Sequence, residues 1–356
     1  MPASLPRRRV FGIIGAAAGW LTAPRLAHAD GTAAEWGRYK SRFLLPEGRV
    51  VDTGNNNQSH SEGQGWGLML AEHHDDRPAF DAILRWTRAN LRREGDMLHA
   101  WRFQPNAPVA VQDRNNATDG DLFIAAALLR GGQRWNEPAF TEEGTAIARD
   151  VLRLLVRRTA NMLVLLPGSR GFEHRDRVVI NPSYYSFPAI AVVAEAVPDP
   201  AWLRVASDGL RLLRSARFGR WGLAPDWLSV SRVDGRTAPA EGWPARFAYD
   251  AVRVPLWLCW AGLGDEPSVG RALDFWNDGA HRHLPAWADL ATDVTSPYPA
   301  GVGIAEIGRL AGSQRNTPWR RPLSESRPQG RDYYDTSLAI LARVAAQQVG
   351  RPLSPA

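Results

Sequence analysis

Residues 140–158 read Phe140-Thr141-Glu142-Glu143-Gly144-Thr145-Ala146-Ile147-Ala148-Arg149-Asp150-Val151-Leu152-Arg153-Leu154-Leu155-Val156-Arg157-Arg158. Ile147, Val151, Leu152, Leu154, Leu155 and Val156 fall on one broad face at a 3.6-residue period, while Glu142, Glu143, Arg149, Asp150, Arg153 and Arg157 face away. The stretch is therefore expected to be an amphipathic helix with one side committed to a core. The same period predicts helices at about 66–74, 78–93, 118–131, 183–197, 199–215, 249–263, 267–277, 301–311 and 333–348. Strand signals are few: 162–166 and 178–180 read as a small hairpin around 168–175, and 228–233 as part of another hairpin. Ten helices with no linker-like interior segment imply one all-α domain, and their similar lengths suggest helix pairs closed into a toroid. No sequence repeat supports the closure, which rests on helix number alone.

Composition narrows the class. The chain has 356 residues, 44% hydrophobic and 22% charged, as expected of a soluble enzyme. Arg7-Arg8-Arg9, an apolar run from Val10 to Ala18 and the A-x-A pattern Ala27-His28-Ala29 read as a secretory signal. Residues 1–29 are expected to be removed near Ala29-Asp30, leaving a single catalytic domain over 30–350 in the periplasm or secreted. Arg8-Arg9-Val10-Phe11 fits a twin-arginine signal as well as a general cationic start. Pro24, Arg25 and His28 interrupt the apolar run before it reaches the roughly 20 residues of a spanning helix, so no stable membrane insertion is expected. The leader holds four arginines and no acid, so the mature chain carries 39 basic residues (43 minus 4) against 37 acidic ones. Most arginines sit among acids, as Arg85, Arg88, Arg92 and Arg93 do beside Glu94 and Asp96, which marks a solvated face and no nucleic-acid partner. Cys259 is the sole cysteine, excludes an intrachain disulfide, and in Leu256-Trp257-Leu258-Cys259-Trp260 reads as a buried inert thiol. No Cys/His spacing resembles a zinc site, and no metal or cofactor is expected. His73-His74 and His281-Arg282-His283 read as surface or boundary residues.

Three acids keep unusual company. Glu62 lies in Ser59-His60-Ser61-Glu62-Gly63-Gln64-Gly65-Trp66-Gly67, Asp119 and Asp121 in Asn116-Ala117-Thr118-Asp119-Gly120-Asp121, and Asp250 in Tyr249-Asp250-Ala251-Val252-Arg253. Cleaving a glycosidic bond takes a protonated carboxylic acid for the leaving oxygen and a second carboxylate to attack or to activate water. Glu62 is the candidate acid, with Gly63, Gly65 and Gly67 leaving room for sugars against the backbone and a negative Asp119 or Asp121 raising its pKa. A glutamate in this place also serves as a helix N-terminal charge. Asp119 and Asp121 could favour a helix start, with Thr118 as a cap, or grip sugar hydroxyls. Asp250 and Arg253 share one face if the segment is helical, forming either a catalytic pair or a structural ion pair. The chain has 15 tryptophans against seven tyrosines. Trp257 and Trp260 read as core, whereas Trp101, Trp221, Trp227 and Trp243 lie in loop-like surroundings suited to stacking on sugar rings.

Taken together these segments resemble glycoside hydrolase family 8, most closely the periplasmic endoglucanases encoded alongside bacterial cellulose synthases. The motifs run in order: Ser-Glu-Gly-Gln-Gly-Trp-Gly at 61–67, Ala-Thr-Asp-Gly-Asp at 117–121, Asn-Pro-Ser-Tyr-Tyr-Ser-Phe-Pro at 181–188, Tyr-Asp-Ala-Val-Arg-Val-Pro at 249–255 and Tyr-Tyr-Asp at 333–335. The resemblance implies an (α/α)6 barrel and inverting hydrolysis of internal β-1,4 bonds of a glucan, with the cellulose synthase complex as a candidate partner. It makes Glu62 the general acid, Asp250 the base and Asp119 the residue that holds the sugar beside the scissile bond. Trp101, Asp121, Tyr185, Arg253 and Tyr334 are the implied substrate-binding residues. Phe123 departs from the pattern, since relatives often carry an acid or a small polar residue there. A hydrolase of the same fold acting on xylan, mixed-linkage glucan or chitosan is the alternative within the class, and a non-catalytic glycan-binding protein the alternative outside it. A polysaccharide lyase would need a poised basic residue in place of these carboxylates.

Overall fold

The computed structural model describes residues 29–321 and 332–350, so the expected leader lies outside the described residues save its last position. Among them are eleven α-helices: α1 Ala29–Phe43, α2 Ser61–His73, α3 Arg77–Leu91, α4 Thr118–Arg134, α5 Pro138–Leu155, α6 Phe187–Ala196, α7 Pro200–Ser215, α8 Arg253–Trp260, α9 Pro267–Asn277, α10 Val302–Gln314 and α11 Tyr333–Gln348. Six of them, α2, α4, α6, α8, α10 and α11, touch in that order and α11 returns to α2, which closes a ring. These inner helices are buried nearly all round, as α4 is from Thr118 through Leu129. The remaining five lie outside. Helix α5 buries Phe140, Ile147, Ala148, Val151 and Leu155 and exposes Glu142, Arg149 and Arg153, as the period required. The architecture is the (α/α)6 barrel.

Chain punctuation decides which end of the ring carries loops. Helices α3, α5, α7 and α9 each have proline at the first or second position, where a missing N–H costs nothing. Asp76 and Asp199 cap two of them by accepting from Ala79 and Ala201 N–H. Turns from an inner helix to the next outer one are therefore short. The long returns, 44–60, 92–117, 156–186, 216–252 and 278–301, each deliver the chain to the start of an inner helix. All the small sheets lie in these returns: β1 Ser59–His60 with β2 Arg102–Phe103, β3 Val156–Thr159 with β4 Met162–Leu165, β5 Arg177–Ile180 with β6 Leu228–Ser231 and β7 Thr237–Pro239, and β8 Arg246–Phe247 with β9 Ala288–Asp289.

Several expectations are corrected. The hairpin expected between 162–166 and 178–180 does not form. Met162–Leu165 pairs back with Val156–Thr159 across the turn at Ala160-Asn161, and 177–180 pairs with 228–231. The first pairing takes the residues that the helical period had assigned to the end of α5, because a two-residue turn closes at little entropic cost. Helix α1 was missed, although Trp36, Tyr39 and Phe43 repeat at helical spacing and are all buried. The glycines after Glu62 make no room for sugar. They are buried at contacts between elements: a Cβ on Gly65 would lie 2.6 Å from Phe123 Cβ, and one on Gly63 2.6 Å from the Tyr333 hydroxyl. That contact also accounts for Phe123, which fills the ring beneath Glu62 against Trp257, with ring centroids 5.2 Å apart, and against Trp66. Cys259 is buried, and burial pushes its thiol pKa up.

Candidate active site

The starts of the inner helices assemble the site. Glu62 lies in the first turn of α2, Asp119 in the first turn of α4, and Ser183 and Tyr184 in a 3-10 turn, Pro182–Tyr184, that leads to α6. Arg253 is the first residue of α8, and Tyr334 lies in the first turn of α11. Helix N-termini carry partial positive charge, so their convergence favours an acid-rich centre. Asp250 sits in the turn just before α8 and not on the helix expected over 249–263, yet it still reaches Arg253.

The Arg253 guanidinium organises the centre. Its Nη1 donates to Glu62 Oε2 at 2.5 Å, and its Nη2 donates to Asp250 Oδ1 at 2.8 Å and to Ser183 Oγ at 2.9 Å. Asp119 Oδ2 lies 3.6 Å from the same Nη2, while Asp119 Oδ1 accepts the Gly120 N–H. Close approach of α4 to α2 makes this possible, since a Cβ on Gly120 would stand 2.7 Å from the Glu62 backbone nitrogen. Ser183 Oγ donates in turn to Asn181 Oδ1 at 2.7 Å, which locks the Asn181 amide.

Electrostatics follow from one cation among several carboxylates. Burial, then the Glu62 charge, raises the Asp119 pKa well above the carboxylate range, with Arg253 pulling it back. Burial also raises Asp250, against the pull of Arg253. Asp226 is pushed up to about 7 by burial and by the Asp250 charge. Burial opposes the charge of Arg253, but Glu62 and Asp250 outweigh it and keep the guanidinium protonated. One guanidinium does not neutralise the carboxylates around it, so Asp119, Asp250 and Asp226 retain protons into the range where free carboxylates have lost them.

The fold sorts the other sequence candidates. Trp101 stands beside the start of α2: its carbonyl accepts the Ser61 N–H, its ring is nearly parallel to His60, and its indole donates to Asp113 at 2.9 Å. The Tyr334 hydroxyl donates to the Tyr249 carbonyl next to Asp250. Asp121 is fully buried, with Oδ1 held by the His99 N–H at 2.9 Å and Oδ2 by Asn116 at 2.9 Å, so it pins the 92–117 loop and has no oxygen free for a sugar. Tyr185 is also a wall residue, because its hydroxyl accepts the buried Leu165 N–H. Its neighbour Tyr184 is the one that faces the acids, and its pKa is raised by burial and then by Asp119, Asp250 and Glu62. Thr118 does not cap α4; its hydroxyl donates to the Leu166 carbonyl at 2.6 Å.

Among the tryptophans, Trp227 adjoins Tyr184 and is stacked with Phe172 and Trp243, forming an aromatic strip that leads away from the carboxylates. Trp221 is a structural residue, with its indole bonded to Asp278 and a face covered by Arg220 at 4.0 Å. Ser183, Tyr184 and Asp226 are not among the candidates read from the sequence. The first two sit inside a quoted motif, but Asp226 lies between Pro225 and Trp227 with no periodicity to mark it.

The chain is similar to a probable endoglucanase of Novacetimonas hansenii, 40% identical over 316 residues that cover 89% of this chain and 91% of the relative. An endoglucanase of Cellulomonas uda is 38% identical over 276 residues, covering 77% and 76%. The solved structure of an endo-beta-1,4-glucanase from Acetobacter xylinum superposes with a TM-score of 0.83 at 40% identity, covering 90% of this chain and 99% of that one. Glycosyl hydrolases family 8 is matched over residues 16–348, nearly the whole ring and every carboxylate described above, and the chain is a glycoside hydrolase that belongs to that family.

Proposed function

We propose that the protein is an inverting endo-β-1,4-glucanase in which Glu62 is the general acid and Asp250 the general base. The observation that carries this reading is the Arg253 bridge, which holds both carboxylates on one guanidinium at the mouth of the ring. Glu62 protonates the glycosidic oxygen as the bond from C1 breaks. Asp250 takes a proton from a water that attacks C1 from the opposite face, so each carboxyl ends the step in the other's starting state. Asp119, buried and neutralised by a proton or by Arg253, binds the hydroxyls of the sugar at the cleavage point. The leaving oxygen takes the place of the Arg253 contact on Glu62, and Arg253 stays on Asp250 to keep it ionised. Trp101, packed with His60 and Arg102, and the stack of Phe172, Trp227 and Trp243 line the path of successive sugars.

Endoglucanases dominate the relatives at 36–40% identity, which supports a β-1,4-glucan as substrate. Product analysis on carboxymethylcellulose, xylan, mixed-linkage glucan and chitosan side by side tests this. The expected result is internal cleavage of carboxymethylcellulose with falling viscosity, and a clear preference for xylan or chitosan would overturn it. The N-terminal pattern supports export, and a role beside a cellulose synthase complex rests on the motif resemblance to endoglucanases encoded alongside such synthases. No helix among the described residues is long and apolar enough to cross a membrane. N-terminal sequencing of the exported protein is expected to begin near Asp30, and a retained Met1 would contradict the processing.

A further inference from the structure

Asp250 has no regular element of its own to stand on. Residues 249–252 form a turn between β8 and α8, shaped internally by Val252 N–H to Ala248 carbonyl and Arg253 N–H to Asp250 carbonyl bonds, each 3.0 Å. The Tyr334 hydroxyl holds the turn at its Tyr249 carbonyl, and the turn's N–H groups are held by a second carboxylate. Asp226 Oδ1 accepts the Ala248 N–H at 3.0 Å and the Ala251 N–H at 2.7 Å. Those two donors bracket Tyr249 and Asp250, so one oxygen closes the backbone on both sides of the base. The Asp226 N–H also donates to the Arg246 carbonyl at 2.7 Å. Asp226 is itself placed by β6, which starts two residues later and pairs Leu228 with Ile180, the residue before Asn181. The sheet that delivers the Asn181–Ser183–Arg253 chain of hydrogen bonds therefore delivers the clamp as well.

We propose that Asp226 is a positioning residue for the catalytic base, holding the 248–251 turn so that Asp250 is aimed at the attacking water. This rests on the reading of Asp250 as the base. Misplacing a reacting group by about an ångström costs orders of magnitude in rate, and a turn whose two N–H groups have lost their shared acceptor is free to misplace it. The charged and titratable groups facing Asp226 are Asp250 and Arg253 from the turn and α8, and Tyr334 from α11. With its pKa raised to about 7, the clamp works as a neutral acid in mildly acidic solution, and its carbonyl oxygen is enough to accept both N–H groups. An amide offers the same acceptor in the same place. A leucine or alanine offers none.

The test compares kcat and KM of Asp226→Ala and Asp226→Asn with the parent on a β-1,4-glucan oligosaccharide in mildly acidic buffer. Asp226→Ala is expected to lower kcat about tenfold or more with KM changed less than about twofold, and Asp226→Asn to restore kcat to within about threefold of the parent. Parent-like kcat in Asp226→Ala overturns the proposal. So does an Asp226→Asn as impaired as the alanine variant, or a loss confined to KM. If the alanine variant does not fold, Asp226→Glu, which keeps the acid but displaces the acceptor by a methylene, must show the kcat loss instead. Asp250→Asn is measured alongside: near-normal turnover there refutes the base assignment itself, whereas a dead Asp250→Asn beside a fully active Asp226→Ala refutes the positioning role alone.

Discussion

Glu62 and Arg253 are 191 positions apart, yet they share a 2.5 Å hydrogen bond, and Asp250 and Asp119 gather on the same guanidinium. Because an amide neither donates the acidic proton nor takes one from water, Glu62→Gln and Asp250→Asn are each expected to lower turnover by about 10² or more while binding of a cello-oligosaccharide survives. Steady-state kinetics with a parallel calorimetric titration checks this, and near-normal turnover in either variant removes that residue from its role. The motifs made Glu62, Asp119, Asp250, Arg253 and Tyr334 legible because each motif spans the start of an inner helix, where the chain faces the centre. They did not separate Asp119 from Asp121, or Tyr184 from Tyr185. Two acids two positions apart at a helix start point in different directions, and which direction is the cavity depends on how the helix is rotated in the ring.

At the level of elements, the contact between α2 and α4 is where the site acquires its precision. Gly65 and Gly120 bring the two helix starts close enough for Asp119 to stand beside Glu62, and neither place accepts a methyl group, since a Cβ on Gly120 would lie 2.3 Å from Ser61 Oγ. Gly65→Ala and Gly120→Ala are expected to destabilise the fold by about 1–3 kcal/mol through overpacking, with a kcat loss larger in Gly120→Ala, which displaces the Glu62 backbone directly. Urea unfolding and initial rates on the same preparations measure both, and unchanged stability in Gly65→Ala would show that the helices yield. The helices themselves were legible from their period, to within a few residues at most ends. The strand pairings were not. Period-two runs of four residues carry no address for a partner, and β5 finds β6 across 228–231 because the ring brings their loops together.

For the whole molecule, the bridged pair makes a stereochemical claim. An inverting pair leaves room for water, with carboxyl groups about 6.5–9.5 Å apart against about 5–5.5 Å in a retaining pair. Proton NMR of the first products from a β-1,4-glucan oligosaccharide is expected to show the α-anomer, and initial build-up of the β-anomer would rule out inversion and both assigned roles. Stability has its own pH signature. Burial, and then the charges of Asp332 and Glu62, push Asp52 up to about 6 against the bond from the Gly54 N–H, while its ordinary value is 3.8. The folded state therefore binds that proton more tightly, and the stability it lends in acid is lost as pH rises through about 6. Asp52→Asn should match the parent in melting temperature near pH 4 and exceed it near pH 8; a constant offset across that range would exclude the effect. The sequence by itself determined the helical class, the order of the motifs and the identity of the acid and base candidates, because helical period and motif composition are properties of short stretches. Only the tertiary structure decided that the glycines after Glu62 serve packing and not substrate access, that Asp121 and Tyr185 are buried in the wall, and that Asp226 accepts the Ala248 and Ala251 N–H groups on either side of Asp250. Each of these depends on which partner the closed ring places opposite a residue, and that partner lies tens to hundreds of positions away.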